Sequence, residues 1–257
     1  MTIRVPHNRI GNLVQLIRDN IDAPRQLRIE NADDDGNATV YINGVIGGFW
    51  GDIDPQAFAE QIHRLDASVI HLRINSPGGD VFDARAMMTA IAQHPATAQA
   101  HVDGLAASAA TDICMACDSV EITRGGRFMI HNAWTLALGD HRDMYAVGDL
   151  LKAVSDDILR DYANKTGVAD EQIAAWMDDE TWFTAEQAVE HGFADSLYEP
   201  SGSSGRAQAQ ARWNLAAYAN APDDLTQPPA NDEQAQKIAA QRARNERRLR
   251  LLQSTAA

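Results

Sequence analysis

From residue 38 to about residue 198, apolar and polar positions follow two alternating rhythms. Residues 38–46, ATVYINGVI, alternate with a period of two, as does a half-buried strand. Asp54 and Pro55 then open a segment to residue 65 in which Phe58, Ile62 and Leu65 share one helical face. The exchange repeats along the chain. Strands are predicted at 69–74, 97–102, 119–122, 127–130 and 193–197. Helices are predicted at 81–93, 106–116, 142–165, 170–177 and 184–190. Gly104 reads as a break, and the cluster Asn75-Ser-Pro-Gly-Gly79 as a strand-to-helix turn. Strands that alternate with helices imply parallel pairing through right-handed crossovers, an α/β domain.

The ends follow a different pattern. Residues 1–36 read as an N-terminal arm with one short helix at 10–21, closed by the polar run at 31–37. The domain proper is expected at 37–199. After Pro200 the composition turns to Ser, Gly, Gln and Ala with Pro222, Pro228 and Pro229. Residues 200–231 are therefore expected to be a flexible, disordered linker. Residues 232–257 form a basic tail whose stretch 232–253 suits either a helix that forms on a partner or a frayed end. Charge divides the same way. Of 22 Lys and Arg, 8 fall from residue 201 onward, against 5 of 36 Asp and Glu, so the body is strongly acidic and the tail mildly basic. A formal charge of −14 argues against general nucleic-acid binding. No apolar run approaches the roughly 20 residues that span a bilayer. The first residues carry no secretory pattern, so the cytoplasm is the expected compartment. Cys114 and Cys117 form a lone CxxC in a small-residue helix, which reads as core packing rather than as a metal or redox site.

Four segments carry candidate chemistry. Gly104-Leu-Ala-Ala-Ser108-Ala-Ala sets a serine among small residues that admit a substrate backbone; small-residue helices also carry serine for close packing. Asn75–Gly79 is either a tight turn or a set of backbone donors for an oxyanion. His131 ends an apolar strand, where an imidazole is held well enough to act as a base or is simply a satisfied core residue. His71 and His101 lie in strand patterns and compete with it; His63, His94 and His141 read as surface residues, and His191 as a helix-end residue. Asp178, Asp179 and Glu180 precede two aromatics. One of the three can orient an imidazole, and the rest read as a solvated acidic turn.

Together, in order, these segments resemble the ClpP family of serine peptidases over residues 38–198. The matching stretches are Ile74-Asn-Ser-Pro-Gly-Gly79, Gly104-Leu-Ala-Ala-Ser108-Ala, Met129-Ile-His131-Asn, the long helix before Thr166-Gly-Val, and Glu180-Thr-Trp-Phe-Thr-Ala through Gly192-Phe-Ala-Asp. The resemblance implies a ClpP/crotonase-like α/β fold, a repeated β-β-α superhelical core with a protruding long helix, here followed by a disordered or helical C-terminal tail. It implies Ser108 as nucleophile, His131 as base, and the N–H groups of Gly79 and Ala109 as oxyanion hole. The family's third member is an aspartate; here Glu180 stands at that position, with Asp179 as the alternative. Asn132-Ala133-Trp134 replaces the family's usual Gln and Pro after the histidine. The resemblance implies polypeptide substrates, a ring-forming homo-oligomer, and no metal or organic cofactor. The appended tail resembles phage or prophage head-maturation proteases, whose partners are capsid and scaffold proteins. A housekeeping-type subunit working with an AAA+ unfoldase, a catalytically inactive assembly protein, and a crotonase-like acyl-CoA enzyme are the alternatives.

Overall fold

The period-two segments pair into one eight-stranded sheet in the computed structural model, which describes residues 26–30, 32–47, 53–198, 215, 218–222 and 225. The helices expected at 10–21 and 232–253 lie outside the described residues. Two compact units divide the chain, Met1–Ala221 and Pro222–Ala257. Of the second, only Pro222 and Leu225 are described, joined by a Leu225 N–H to Pro222 carbonyl bond of 3.0 Å.

The main path of the sheet runs β1(Gln26–Glu30), β2(Asn37–Asn43), β3(Val69–Ser76), β4(Thr97–Ala107), β5(Ser119–Thr123) and β8(Ser196–Tyr198). From β2 onward these pairings are parallel; β1 is antiparallel to β2. The residues of β1 fall in the segment expected to be an arm. Their short apolar content hides a strand that gains its ladder only from β2. Side β6(Arg127–Ile130) pairs in parallel with β4, and β7(Thr181–Thr184) pairs antiparallel to β6. Strand β7 was not legible in the pattern, because four residues after an acidic turn carry no period of their own.

Alternation decides which side chains enter the core. Ala38, Val40 and Ile42, Ile70, Leu72 and Ile74, Ala98, Ala100 and Val102 are buried on one face. On the other face His71 and His101 meet at 2.9 Å, His101 reaches Glu121 at 3.2 Å, and Arg73 pairs with Asp103. Among the described residues six helices pack around this sheet: α1(Pro55–Arg64), α2(Val81–Gln93), α3(Ala109–Met115), α4(His141–Thr166), α5(Asp170–Asp178) and α6(Ala185–Glu190). Asp54 and Asp80 cap α1 and α2 by accepting from the second and third amides of each helix, the usual N-terminal solution for donors without intrahelical partners. Phe58, Ile62 and Met87 drive them onto the sheet.

Strand β2 ends at Asn43 rather than 46 and β8 begins at Ser196 rather than 193, and around Gly104 two further expectations needed correction. Gly104 does not end β4, which runs unbroken to Ala107; it marks the place where β4 changes partners. Residues Gln99–Val102 pair with β5, and Leu105–Ala107 with β6. The register to β3 also slips between Ile74 and Ser76, a bulge that glycine accommodates. The following helix therefore starts at Ala109 rather than Ala106, because Ala106 and Ala107 are claimed by the ladder to Phe128 and Met129.

Helix α4, 26 residues and about 39 Å long, begins with the reciprocal Asp140–Asp143 capping box and ends at Gly167, whose φ of 71° suits glycine. Its buried residues, Ser155, Ile158 and Tyr162, all lie in its second half. Met144, Tyr145 and Leu150 in the first half are exposed, so α4 projects from the body. Among the described residues no helix is long and apolar enough to cross a membrane.

The root of α4 is tied to α3 by the Tyr162 hydroxyl, which donates to the buried carboxyl of Asp112. Burial pushes the Asp112 carboxyl up to about 7, against the lowering effects of the Tyr162 bond and of Arg85. The folded protein thus holds a proton that the unfolded chain releases near 3.8. The stability this confers is complete below pH 3.8 and is lost as pH rises towards 7, a swing of the order of 4 kcal/mol. Asp112→Asn keeps an acceptor for Tyr162 and removes the titration. In urea unfolding at pH 4.5, 5.5 and 7, the variant should gain on the wild type as pH rises; a constant difference across the series would refute the assignment.

Candidate active site

Parallel pairing of β4 with β6 places the carboxyl ends of both strands side by side, with Ala107 opposite Met129. Ser108 follows one end and His131 the other, so residues 23 apart in the chain meet. His131 Nε2 lies 2.7 Å from Ser108 Oγ. The Ser108 amide donates to the Met129 carbonyl at 2.9 Å, which extends the ladder by one bond. Thr111 reinforces the junction: its buried hydroxyl lies 2.9 Å from the Ala106 carbonyl and 2.8 Å from that of Met129. Sequence reading missed Thr111. The only signal was a hydroxyl three residues after the serine.

Ser108 sits at φ 55° and ψ −127° between β4 and α3. A non-glycine residue there is strained by roughly 1–3 kcal/mol, and surrounding bonds must hold it. Among the described residues, the only other non-glycine with positive φ is Glu180, at 50°. Both are residues singled out from the sequence for catalysis.

The glycine turn packs directly against Ser108. Gly78 has φ 94°, and a Cβ there would lie 2.6 Å from the Ala107 carbonyl oxygen and 2.8 Å from Ser108 Cβ. A Cβ on Gly79 would lie 2.0 Å from the Ile46 carbonyl oxygen. Buried Ser76 shapes the turn, donating to the Gly44 carbonyl at 2.6 Å and accepting from the Gly78 amide at 3.1 Å. Ala109 opens α3, so its amide is among those without an intrahelical acceptor.

Strand β7 brings the acidic residues before it next to the strand end that carries the histidine. Ile130 pairs with Thr181 at the end of the antiparallel ladder, so His131 directly follows, and Glu180 directly precedes, its last pair. Asp179 caps the C-terminus of α5 and is exposed, and Asp178 accepts from the Asn132 side chain at 2.6 Å. Both Glu180 oxygens are engaged. Oε2 accepts from the Ala219 amide at 3.0 Å, and Oε1 from the Asn220 amide at 2.8 Å. The indole of Trp182 approaches Oε1 at 3.4 Å. Beyond His131, a groove lined by Asn132, Ala133, Ser155, Leu159 and Asp178 runs between α4 and α5.

The competing histidines are accounted for elsewhere. His71 and His101 bond to each other on the polar face of the sheet, and burial holds His101 below its ordinary value. His94 is tied to Leu65 and Ala96, and His191 packs on Trp176 and Phe183. The cysteines are free and buried; burial raises the Cys114 thiol well above its ordinary value and pushes Cys117 up to about 12, as core packing requires. No cluster of metal-ligating side chains occurs among the described residues.

Fold and site define an α/β protein built around a serine–histidine pair at the carboxyl ends of adjacent parallel strands. The family model for Clp protease matches residues 55–201, more than half of the chain, and the chain belongs to that family. It is 33% identical over 135 residues to the ATP-dependent Clp protease proteolytic subunit 2 of Thermobifida fusca, covering 50% of this chain and 64% of the relative. It is 29% identical over 146 residues to proteolytic subunit 1 of Mycobacterium tuberculosis, covering 54% and 70%. A third relative, subunit 2 of Mycolicibacterium paratuberculosis, is 29% identical and matched over 65% of its length, so the chain spans about two thirds of these proteins. A ClpP1 mutant from Listeria monocytogenes shares the fold, with a TM-score of 0.57 and 23% identity over 63% of this chain and 92% of that one.

Gly78→Ala tests the turn. The added methyl group meets backbone and the serine itself, at a φ that alanine tolerates poorly. Thermal unfolding should report a loss above about 2 kcal/mol, and reactivity of Ser108 toward a fluorophosphonate should fall at least ~100-fold, on the scale of losing one aligned donor. Wild-type reactivity in the variant would show that the close approach is unimportant.

Proposed function

We propose that the protein is a serine endopeptidase of the ClpP type, with Ser108 as nucleophile, His131 as general base and Glu180 as the carboxylate that orients the imidazole. The observation that carries this reading is the 2.7 Å contact between Ser108 Oγ and His131 Nε2 beside the Gly78–Gly79 turn. His131 Nε2 takes the hydroxyl proton as Ser108 Oγ attacks a peptide carbonyl. The amides of Gly79 and Ala109 face the developing oxyanion, a contribution of about 3–4 kcal/mol per donor in comparable sites. The imidazolium passes its proton to the leaving amine, and water then attacks the acyl-enzyme under the same base.

Glu180 is favoured over Asp179 because it directly precedes Thr181, which closes the β6–β7 ladder opposite Ile130, the residue before His131. A glutamate is one methylene longer than the family's aspartate, and Glu180 shares with Ser108 a positive φ that is rare for a non-glycine residue. The exposed Leu136, Leu138, Met144, Tyr145 and Leu150 on the projecting half of α4 and the loop before it support ring-forming self-association. The finer reading is a processing protease of phage or prophage heads, acting on capsid or scaffold precursors. It is supported by the long segment that follows the Clp-type domain and reaches back to the site through residues 218–220. The second reading, a subunit serving an AAA+ unfoldase, is favoured by the relatives, which are proteolytic subunits of ATP-dependent enzymes.

A fluorophosphonate should label the wild type at a single residue, Ser108, and leave Ser108→Ala unlabelled; labelling that survives the substitution would refute the nucleophile. Co-expression of each with neighbouring capsid-type proteins should give shortened products only with the wild type, and identical product masses would remove the processing role. For the third member, Glu180→Gln should lower peptide turnover by roughly 10³–10⁴, the cost of a wrongly held imidazole, whereas Asp179→Asn should change it less than tenfold. The opposite order in steady-state kinetics would transfer the role to Asp179.

A further inference from the structure

Residues beyond the Clp-type domain return to the catalytic residues, in a stretch whose composition predicts a linker. Leu215 is buried at 2% exposure and anchors the return. The Tyr218 amide bonds to its carbonyl at 3.0 Å, which turns the chain inward. The Tyr218 ring then packs edge-on against His131, with centroids 5.5 Å apart, and edge-on against Trp182 at 5.6 Å. Its hydroxyl donates to the Pro77 carbonyl in the glycine turn and lies in hydrogen-bonding contact with the Ser108 side chain. Residue 218 as a whole is half-buried, but its hydroxyl end is enclosed, and burial holds the phenol well above its ordinary value. The next two amides are taken by the two Glu180 oxygens, and the Asn220 side chain donates to the Asp179 carbonyl at 2.6 Å.

We infer that residues 218–220 are a resident ligand of the catalytic cleft, which binds an aromatic side chain followed by two backbone amides and is thereby held closed in cis. The inference rests on the assignment of Ser108 and His131 as the reacting pair. A phenol is what the segment presents to Ser108. A phenol carries no electrophilic carbon for Oγ to attack, so the bound segment blocks the nucleophile without being cut in this pose. It acts at a second point as well. Two charge-assisted hydrogen bonds to Glu180 occupy the carboxylate that the His131 imidazole requires. Displacement of the segment frees both groups at once. An incoming polypeptide with an aromatic residue at the equivalent position competes for the same contacts.

The test uses the full chain. In hydrogen–deuterium exchange, the wild-type amides of Ala219 and Asn220 should be protected at least tenfold relative to an unstructured peptide. Tyr218→Ala should be labelled at Ser108 by a fluorophosphonate at least tenfold faster than wild type, with Tyr218→Phe between the two. Equal labelling rates in all three proteins, or unprotected amides at 219 and 220, would overturn the inference and leave the serine–histidine assignment intact. Absence of labelling in every form would overturn that assignment and the inference with it. If Tyr218→Ala does not fold, the exchange measurement on the wild type decides alone.

Discussion

The structure depends on the short parallel pairing of the second half of β4 with β6. Three residue pairs, Leu105 with Arg127, Ala106 with Phe128 and Ala107 with Met129, bring the two strand ends together. Everything at the site is counted from those ends. Ser108 is one step past the first, and His131 is one step past Ile130 in the second. Because β4 is already paired with β3 and, through its first half, with β5, it is fixed before it turns to β6. The partner change at Gly104 frees the end of β4 from β5 and lets a separate small ladder, β6 with β7, form beside the main sheet.

That arrangement supports strain at defined points. Ser108 and Glu180 both hold positive φ, each at the end of a strand whose ladder bonds constrain the neighbouring residues. Thr111 binds the carbonyls of both β4 and β6, and Ser76 organises the glycine turn from beneath. Each of these hydroxyls is buried and partnered, so removing one leaves carbonyls unsatisfied rather than merely losing a bond. Asp112 and Tyr162 carry the same logic outward, linking the helix after Ser108 to the root of α4. The projecting half of α4 is free to meet another surface because its anchorage lies entirely in its second half.

The acidic cluster after α5 divides into three roles. Asp178 steadies Asn132, Asp179 offers only its backbone carbonyl to Asn220, and Glu180 receives two consecutive amides. Their positions relative to β7 account for the division. Glu180 adjoins the strand boundary and is half-buried, whereas Asp178 and Asp179 belong to the end of α5 and are exposed. The C-terminal segment uses the site's own features: the Pro77 carbonyl, the histidine face and the carboxylate.

Local periodicity was enough to predict most elements within one or two residues, including α2 over Val81–Gln93 and β6 over Arg127–Ile130. The reason is that a half-buried face imposes its period on the side chains directly. The ordered motifs likewise singled out Ser108 and His131, whose side chains meet at 2.7 Å in the structure. What the chain alone did not reveal are features defined by a partner: β1 and β7, which exist because β2 and β6 pair with them, the passage of β4 through Gly104, the clamp at Thr111, and the return of Tyr218 to the site. A ladder bond or a ring contact joins residues far apart in sequence, and it leaves no period in either segment. Only the tertiary structure brings the two halves of such an interaction together.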